Sequence, residues 1–384
     1  MPFQGRICKL GVWDESVPGI EFDKNGVSNY AKLFQTLVEA YPRGKKGANE
    51  WHRITEKVRH EGKNKKYDCI IGVSGGTDSS YLLHLAKAQK LRPLAVNLDN
   101  GWSSDIAVKN IKKMTNELNI DLETYVIEYE EIKDLLRSYM LAGLPWIDTP
   151  TDLAIKAVLY KIAAREGIKY VLRGNDFRSE GSQPKEWTFG DGRQLEAVHG
   201  KFGKTKLKTF PNYKLFRLIY YGFVRGIKSI YPYYYIEYNK NEAQDFLKKT
   251  YDWQYYGGHH HENHFTKFAI VYWLYEKFGI DKRKITYSAQ IMSGEISRDY
   301  ALSEIDKKPY KADELDQMLN FVLKKLDMNE AEFKDAMRQP NKSFHDYPSY
   351  NYIFTNMLKI AKPILSLVFI HKPQSIYQSE MRNK

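Results

Sequence analysis

Cysteine is scarce in this sequence, since Cys8 and Cys69 are the only two among 384 residues. Two cysteines cannot build the disulfide framework of a small secreted protein, so a reducing, cytoplasmic compartment is expected. Long apolar runs are also lacking, and no stretch reaches the length of a membrane span. Residues 1–6 lead into no apolar signal region. We therefore expect a soluble, cytoplasmic protein without a membrane span.

Acidic residues are fewer than basic ones, and the formal net charge is +12 at pH 7. An excess of positive charge favours anionic partners. Nucleic acid is one such partner, and nucleotides and nucleotide-linked sugars are others. Charge alone does not choose among them.

A lysine-containing phosphate loop is missing, because the sequence has no G-x-x-x-x-G-K-[ST] run, and γ-phosphoryl transfer is therefore not favoured. A glycine loop is present instead: Val73-Ser74-Gly75-Gly76-Thr77-Asp78-Ser79. It lies between an apolar run at 69–73 and an apolar stripe of helical spacing, which predicts strand, loop and helix. Gly75 and Gly76 allow backbone N–H groups to approach phosphate at the helix start, and hydroxyl side chains add donors. Asp78 is placed to hold a magnesium ion that bridges the phosphates.

Strands and helices alternate after residue 62, with strands predicted at 69–73, 93–98, 124–127 and 169–172. This order indicates an α/β fold with a doubly wound parallel sheet. Ligands of such folds bind at the carboxyl ends of the strands. Beyond the glycine loop, the polar residues that follow predicted strands are therefore binding candidates: Asp99, Asn100, Arg173, Gly174, Asn175 and Arg178.

Three regions are predicted: an amino-terminal extension at 1–62, an ATP-binding domain at 63–190 and an aromatic, basic and mostly helical region at 191–384. The tyrosine-rich stretch 213–238 is compatible with a core or interface, a sugar-nucleotide pocket, or a surface that meets a partner or membrane. The cluster His259-His260-His261-Glu262-Asn263-His264 is not H-E-x-x-H, although His260 and His264 have i, i+4 spacing. A polar role in a pocket is preferred over a metal site.

The run 74–79 matches the SGGxDS signature of the PP-loop ATP pyrophosphatases, which cleave ATP between the α and β phosphates. Patches elsewhere resemble the N-acetyl sugar amidotransferases of surface-polysaccharide synthesis. Gly257, Gly258, His260, Glu262 and Thr266 match that family's G-G-K-H-x-E-S-x-x-T segment, and the run around Arg298 is similar to its S-G-x-x-[ST]-R run.

The same family usually carries two C-x-x-C pairs near its amino terminus. Here only Cys8 remains, because Gly11, Ser28 and Ala31 occupy the other three positions. One thiolate cannot hold a tetrahedral zinc ion, so no structural zinc is expected. Packing is expected to hold this segment instead, through Trp13, Phe22 and Tyr30.

The resemblance implies a role for each candidate residue. Asp78, Ser79, His260 and Glu262 would be catalytic, and the loop, with Asp99, Asn100, Gly174 and Asn175, would bind ATP. Arg173, Arg178 and Arg298, with His260 and Glu262, would bind the substrate. Alternatives stay open for several of them: a nucleotide contact is preferred for Asp99, with a turn residue as the alternative, and the arginines are alternatively structural or surface residues.

Members of this family convert the acetamido group of a nucleotide-linked sugar, typically UDP-linked, into an acetamidine with ATP and Mg²⁺. The products serve lipopolysaccharide O-antigen or other surface polysaccharide. The resemblance further implies ammonia supply by a separate glutaminase, acting with a barrel subunit akin to the cyclase of histidine synthesis, and no nucleic-acid partner. Two alternatives are a tRNA-modifying PP-loop enzyme, disfavoured by the few cysteines, and an inactive scaffold, disfavoured by the intact loop.

Overall fold

A parallel β-sheet forms the centre of the molecule, in a computed structural model that describes residues 3–258, 261–360, 372 and 374–382. Its strands are β1 Cys69–Gly72, β2 Pro93–Asp99, β3 Leu122–Val126, β4 Tyr170–Leu172 and β5 Lys228–Ile230. The strand order is β3-β2-β1-β4-β5, and every pairing is parallel. The predicted α/β class with a doubly wound parallel sheet is confirmed.

Both faces of the sheet are buried, which explains the continuous apolar run of β1. Ile71 packs on one face beside Leu83 and Met114, whereas Ile70 packs on the other face beside Val158 and Ile162. Successive strand residues point to opposite faces, so a strand covered by helices on both sides must be apolar throughout.

Six helices precede or connect the first four strands: α1 Asn29–Ala40, α2 Gly44–Gly62, α3 Thr77–Ala88, α4 Asp105–Glu117, α5 Tyr129–Leu141 and α6 Thr149–Arg165. Ser104 caps α4, since its hydroxyl accepts a hydrogen bond from the Ala107 N–H over 3.2 Å.

The second half of the chain is largely helical. Its helices are α7 Phe177–Glu180, α8 Lys185–Thr188, α9 Gly192–Phe202, α10 Leu215–Ile219, α11 Lys240–Tyr251, α12 His264–Phe268, α13 Arg283–Met292, α14 Arg298–Ile305, α15 Ala312–Lys325, α16 Glu330–Arg338 and α17 Asn351–Ile360, followed by Gln374–Arg382. Tyr220–Val224 and Ala269–Lys277 are π-helical, and Pro232–Tyr234 and Phe344–Asp346 are 3-10 turns. Within the described ranges, no helix combines the length and apolarity needed to cross a bilayer.

The amino-terminal segment packs against α8 and α13. Cys8, Trp13 and Tyr30 form one apolar cluster with Trp187 and Ile285, and Phe22 packs at its edge. This is the packing that the sequence predicts in place of a zinc site.

The strands of the sheet come from two of the three predicted regions, and helices of the third region pack against it. Residues of α1 and α2, from the predicted extension 1–62, share one apolar cluster with β1. The fifth strand, β5, comes from the predicted region 191–384 and pairs with β4. The predicted boundaries at 62 and 190 therefore do not coincide with edges of the sheet layer.

Candidate functional site

The loop between β1 and α3 gathers hydroxyl and amide groups at the carboxyl edge of the sheet. The Gly76 N–H donates to Ser74 Oγ, and Ser79 Oγ donates to the Gly76 carbonyl oxygen, each over 3.3 Å. The Ser74 and Ser79 hydroxyl oxygens lie 3.4 Å apart. Gly76 is the N-cap of α3 and contributes no side-chain cap. The first N–H groups of α3 therefore border the loop, an arrangement that suits phosphate.

Gly75 is required by the close approach of α4. Its φ is +79°, and a Cβ atom there would lie 2.2 Å from the carbonyl oxygen of Ala107. The Gly75 carbonyl oxygen accepts hydrogen bonds from Asn110 Nδ2 at 3.2 Å and from Trp253 Nε1 at 3.1 Å. The shape of the loop is thus fixed from outside by two other segments.

Lys240 supplies a cation beside the loop, although the loop itself contains no lysine. Its Nζ donates to Asp78 Oδ2 over 2.8 Å, and the Tyr238 hydroxyl donates to Asp78 Oδ1. Burial lowers the pKa of Lys240, but the charges of Asp78, Glu180 and Tyr256 together outweigh burial, so this pKa lies above its ordinary value. Lys240 is therefore a permanent cation at neutral pH.

The surroundings of Asp78 do not fit a magnesium ion in this arrangement. Both of its carboxylate oxygens already accept a hydrogen bond, and Lys240 already neutralises its charge. The predicted magnesium role of Asp78 stays a prediction that would require Lys240 to release the carboxylate. In the structure, Asp78 positions Lys240 and Tyr238.

The segment before α12 covers the loop. The Tyr256 hydroxyl accepts a hydrogen bond from the Thr77 N–H at 3.2 Å, and Glu262 Oε1 accepts one from Ser74 Oγ at 3.2 Å. The backbone of this segment is held to the end of β2, since the Ser104 N–H donates to the Glu262 carbonyl oxygen over 2.8 Å. Glu262 therefore lies at the glycine loop. This position is compatible with the predicted role of Glu262 in a pocket.

His260 lies outside the described residues, as does His259, so the predicted catalytic and substrate-binding role of His260 stays a prediction. The backbone N–H of His264 donates to the Trp102 carbonyl oxygen over 2.9 Å. Burial lowers the pKa of the His264 imidazole, and the charges of Lys325 and Lys267 lower it further. His264 is therefore neutral at pH 7 and packs beside the end of β2.

The polar residues after β2 shape the edge of the sheet. Asn100 is 2% exposed; its Nδ2 donates to Thr151 Oγ1 over 3.0 Å, and its Oδ1 accepts from the Trp102 N–H at 3.1 Å. Asp99 Oδ1 accepts from the Gly101 N–H at 2.9 Å, which is the turn role that the sequence left open. Asn100 borders the cleft described below, and Asp99 does not.

The loop after β4 meets the glycine loop. Gly174 packs against Asp78, since a Cβ atom there would lie 3.2 Å from the Asp78 carbonyl oxygen. Arg173 Nε donates to Ser229 Oγ on β5 over 3.0 Å, and Asn175 Nδ2 donates to Glu180 Oε2 over 3.2 Å. Arg173, Gly174 and Asn175 are therefore brought to the same edge as the glycine loop.

Two predicted substrate arginines lie elsewhere. Arg178 is 5% exposed and donates to the carbonyl oxygens of Tyr234 and Tyr41, at 3.2 and 2.6 Å. Arg298 donates to the carbonyl oxygens of Gly11 at 3.1 Å and Cys8 at 3.4 Å. Arg298 thus fastens the amino-terminal segment, and the structure does not bring either arginine to the glycine loop.

A cleft of about 430 Å³ opens at the carboxyl ends of β1, β2 and β4. Val73 and Ser74 border it on one side and Arg173 and Asn175 on another, with Glu262 near the loop. Lys282 also reaches it, and burial lowers the pKa of this lysine to about 8. The cleft therefore combines apolar strand ends with cations beside a phosphate loop, which suits a nucleotide.

Lys240, Lys282 and Tyr256 are site residues that the sequence did not single out. The basic run 282–284 was visible, but its members diverge: Arg283 pairs with Asp281, and Lys284 forms a buried ion pair. Nothing in the sequence around Lys240 indicates that it meets Asp78. Such residues are found only from the folded chain.

One family profile matches the carboxyl-terminal part of the chain. Residues 262–361 match the family described as "LPS biosynthesis protein WbpG-like, C-terminal domain". An uncharacterized protein of Methanocaldococcus jannaschii is 29% identical over 142 residues, which are 37% of this chain and 49% of that relative. The match thus spans about half the length of the curated relative.

Three solved structures are similar at low identity. An NH3-dependent NAD synthetase from Campylobacter jejuni is 20% identical, with 34% of this chain and 58% of that chain covered and a TM-score of 0.26. An NMN synthetase from Francisella tularensis is 16% identical, with 79% and 95% covered and a TM-score of 0.31. A U34-tRNA thiolase from Methanococcus maripaludis is 13% identical, with 70% and 84% covered and a TM-score of 0.31. These scores carry no conclusion about function, and the fold rests on the strand order above.

Proposed function

We propose that this chain is an ATP-dependent amidotransferase. It adenylates the acetamido group of a nucleotide-linked N-acetyl sugar, with UDP as the expected nucleotide, and replaces AMP with ammonia to give an acetamidino sugar for lipopolysaccharide O-antigen or other surface polysaccharide. The observation that carries the nucleotide chemistry is the β1–α3 loop, with Ser74, Ser79 and the start of α3 around one point and Lys240 close by. The profile match at 262–361 supports the polysaccharide context.

The reaction needs ATP because an amide oxygen is a poor leaving group. In the first step the amide oxygen attacks the α-phosphorus; an O–P bond forms, the α–β bridging bond breaks, and pyrophosphate leaves. In the second step ammonia attacks the amide carbon of the adenylylated imidate. A C–N bond forms, the C–O bond breaks, AMP leaves, and one ammonia proton is released to a base.

The described residues divide these tasks. Amides at the start of α3, with the Ser74 and Ser79 hydroxyls, bind the phosphates that become pyrophosphate. Lys240 stabilises the negative charge that develops on them, held in place by Asp78. Glu262, 3.2 Å from the Ser74 hydroxyl, is placed to accept the ammonia proton. Mg²⁺ would accompany ATP as a charge-neutralising ion, and no step here depends on its ligands.

The direct test is incubation of the purified chain with ATP, Mg²⁺, ammonium and a panel of UDP-linked acetamido sugars. We expect AMP, pyrophosphate and a product whose mass falls by the replacement of O with NH. Ser79→Ala is the matched inactive control. Pyrophosphate release that requires tRNA instead of a sugar would replace this proposal with the tRNA-modifying alternative, and no nucleotide binding at all would favour the scaffold.

Ammonia delivery is part of the proposal. At neutral pH ammonia is mostly ammonium, which has no free electron pair, and an exposed adenylylated imidate would hydrolyse back to the amide. We therefore propose a separate glutaminase subunit that acts through a cyclase-like barrel subunit, so that ammonia reaches the imidate without crossing bulk water.

A further inference from the structure

A second cavity of about 600 Å³ lies on the β4–β5 side of the sheet edge. We call it the tyrosine cavity, after Tyr160, Tyr213 and Tyr231 in its wall. It shares Arg173 with the nucleotide cleft as a lining residue. Two cavities are therefore neighbours along one edge, as a reaction between two bound substrates requires.

Four cations line the tyrosine cavity: Lys156 from α6, Arg173 from the end of β4, Lys185, and Lys372, which pairs with Glu380. Burial lowers the pKa of Lys156, the charge of Asp152 raises it, and the charge of Arg173, close by, lowers it. Arg173 Nε donates to Ser229 Oγ, and that oxygen also lies 2.9 Å from the Tyr160 hydroxyl. Within the described ranges neither Lys156 nor Arg173 forms an ion pair within 4.0 Å, so the charge of Asp152, four residues before Lys156, offsets the positive charge of the site only in part.

The acidic residues of the cavity wall are engaged elsewhere. Asp176 forms an ion pair with Arg43 at 3.0 Å, and Glu180 Oε2 accepts a hydrogen bond from Asn175 Nδ2 over 3.2 Å. Asp191 accepts backbone hydrogen bonds from three N–H groups, at 2.9, 2.9 and 2.7 Å. These carboxylates therefore do not neutralise Lys156 and Arg173, and an anionic ligand would do so.

The tyrosine rings add a surface for a planar ligand. Tyr160 and Tyr213 lie with ring centroids 5.7 Å apart, and Tyr231 stacks on Tyr234 at 5.0 Å. The Tyr213 hydroxyl is buried and has no hydrogen-bond partner within the described part of the chain. An orphaned buried hydroxyl costs free energy that a bound polar ligand recovers.

We propose that the tyrosine cavity binds the nucleoside diphosphate part of the nucleotide-linked sugar, with the diphosphate between Lys156 and Arg173 and the base or sugar against the tyrosine rings. This assignment rests on the proposed function for the sugar it names. Because Arg173 borders both cavities, the acetamido group extends past it toward the nucleotide cleft, where ATP presents its α-phosphorus.

The test is calorimetric titration of the full chain with UDP and, separately, with ATP. Loss of a charged hydrogen bond is expected to weaken UDP binding by about tenfold to a hundredfold in Lys156→Gln, while ATP binding stays unchanged. Lys156→Arg keeps the charge and is expected to retain most of the affinity for UDP. This second variant keeps the test decisive if Lys156→Gln fails to fold. Lys161→Gln, on the same helix but with its ammonium over the Tyr125 ring, is the matched control and should bind both ligands normally.

Several outcomes would overturn the assignment. The first is an unchanged UDP affinity in Lys156→Gln, and the second is an equal loss of UDP and ATP affinity in that variant. The third is a Lys156-dependent site that binds inorganic pyrophosphate but not UDP. Amidine formation with an unchanged KM for the sugar in Lys156→Gln would also overturn it, while leaving the proposed function intact. Lys156-dependent UDP binding without amidine formation from any sugar would support the cavity and overturn the proposed function.

Discussion

The contact between Lys240 and Asp78 places a cation beside the glycine loop. Asp78 belongs to a motif that is recognisable in the sequence, whereas Lys240 lies 162 positions further along the chain. No periodicity or spacing connects the two, so only the fold could reveal that a lysine stands beside the loop. Val73 to Ser79 could be predicted because the chemistry of a phosphate loop is local.

Replacement of Lys240 by Met should disable pyrophosphate release. One preorganised donor that faces developing charge contributes about a hundredfold in rate, so a loss of that order is expected. Lys249→Met, on the exposed side of the same helix, is the matched control. The measurement is pyrophosphate release beside a thermal melt. Normal turnover in a folded Lys240→Met protein would refute the role of this lysine.

Glu295 gives the chain a defined pH dependence. Burial, with the charge of Asp176, raises its pKa to about 7, and its Oε1 is buried without a partner among the described residues. Between the ordinary pKa and about 7 the folded chain binds more protons than the unfolded chain, so the free energy of unfolding falls as pH rises.

Glu295→Gln should therefore flatten the fall in stability across that window. Asp176, whose pKa burial raises to about 6, keeps its own contribution, so the slope decreases without vanishing. Urea unfolding at several pH values below and above 7 measures this. An identical pH profile for the variant would show that Glu295 does not titrate in this range.

At the scale of elements, strands with an apolar pattern were predictable, whereas the short and mostly polar β5 was not. β1 and β2 follow from continuous apolar runs, and their observed bounds differ from the predicted ones by one residue at one end. β5 has only three residues, Lys228-Ser229-Ile230, and one of them is buried. Its pairing depends on its position beside β4, which no local pattern encodes.

The contact between the glycine loop and α4 predicts a sharp effect of Gly75→Ala. The new Cβ would meet the Ala107 carbonyl oxygen, so the loop or α4 must move, and nucleotide binding should be lost. Gly226→Ala is the matched control, because its φ is also positive, at +64°, but nothing lies within 4 Å. Both variants carry a dihedral cost of about 1–2 kcal/mol, so similar melts with different ATP affinities are expected. ATP binding by Gly75→Ala at normal affinity would contradict the required shape.

The buried ion pair between α13 and the amino-terminal segment should be strongly stabilising only as a pair. Lys284 Nζ lies 2.7 Å from Asp14 Oδ2, with side-chain exposures of 1% and 0%. Lys284→Met leaves a buried unpaired carboxylate and is expected to cost about 3 kcal/mol or more. Asp14→Asn combined with Lys284→Met removes both charges and should cost less than Lys284→Met alone. The free energy of unfolding of each variant is measured by urea denaturation. A larger loss of this free energy in the double variant than in Lys284→Met would refute the pairing argument.

At the scale of the whole molecule, the sequence predicted the sheet class and the edge that carries the loop. Residues 69–190 repeat strand and helix, and such repeats determine a parallel sheet with few alternatives. The covering segment with Tyr256 and Glu262 was seen only as a resemblance, since its position over Thr77 and Ser74 arises from tertiary contacts.

The isolated chain should use ammonium but not glutamine. Both cysteines are 0% exposed, and burial raises the pKa of the Cys69 thiol well above its ordinary value. A cysteine-dependent glutaminase needs an accessible thiolate, so the proposed separate glutaminase would be the source of ammonia when glutamine is the donor. Amidine formation is measured with each nitrogen source, with and without the proposed partners. Clear turnover of glutamine by the pure single chain would refute the separate glutaminase.

Because Cys8 and Cys69 are buried, the folded protein is expected not to react with thiol reagents. A maleimide dye added to the folded protein finds no reactive sulfur, because the chain has no other cysteine. A single cysteine introduced on the surface would therefore carry the only label, and distances or environments reported by it would belong to that position alone. The same two sulfurs become reactive when the core opens, so the rate of their modification reports unfolding without any added probe.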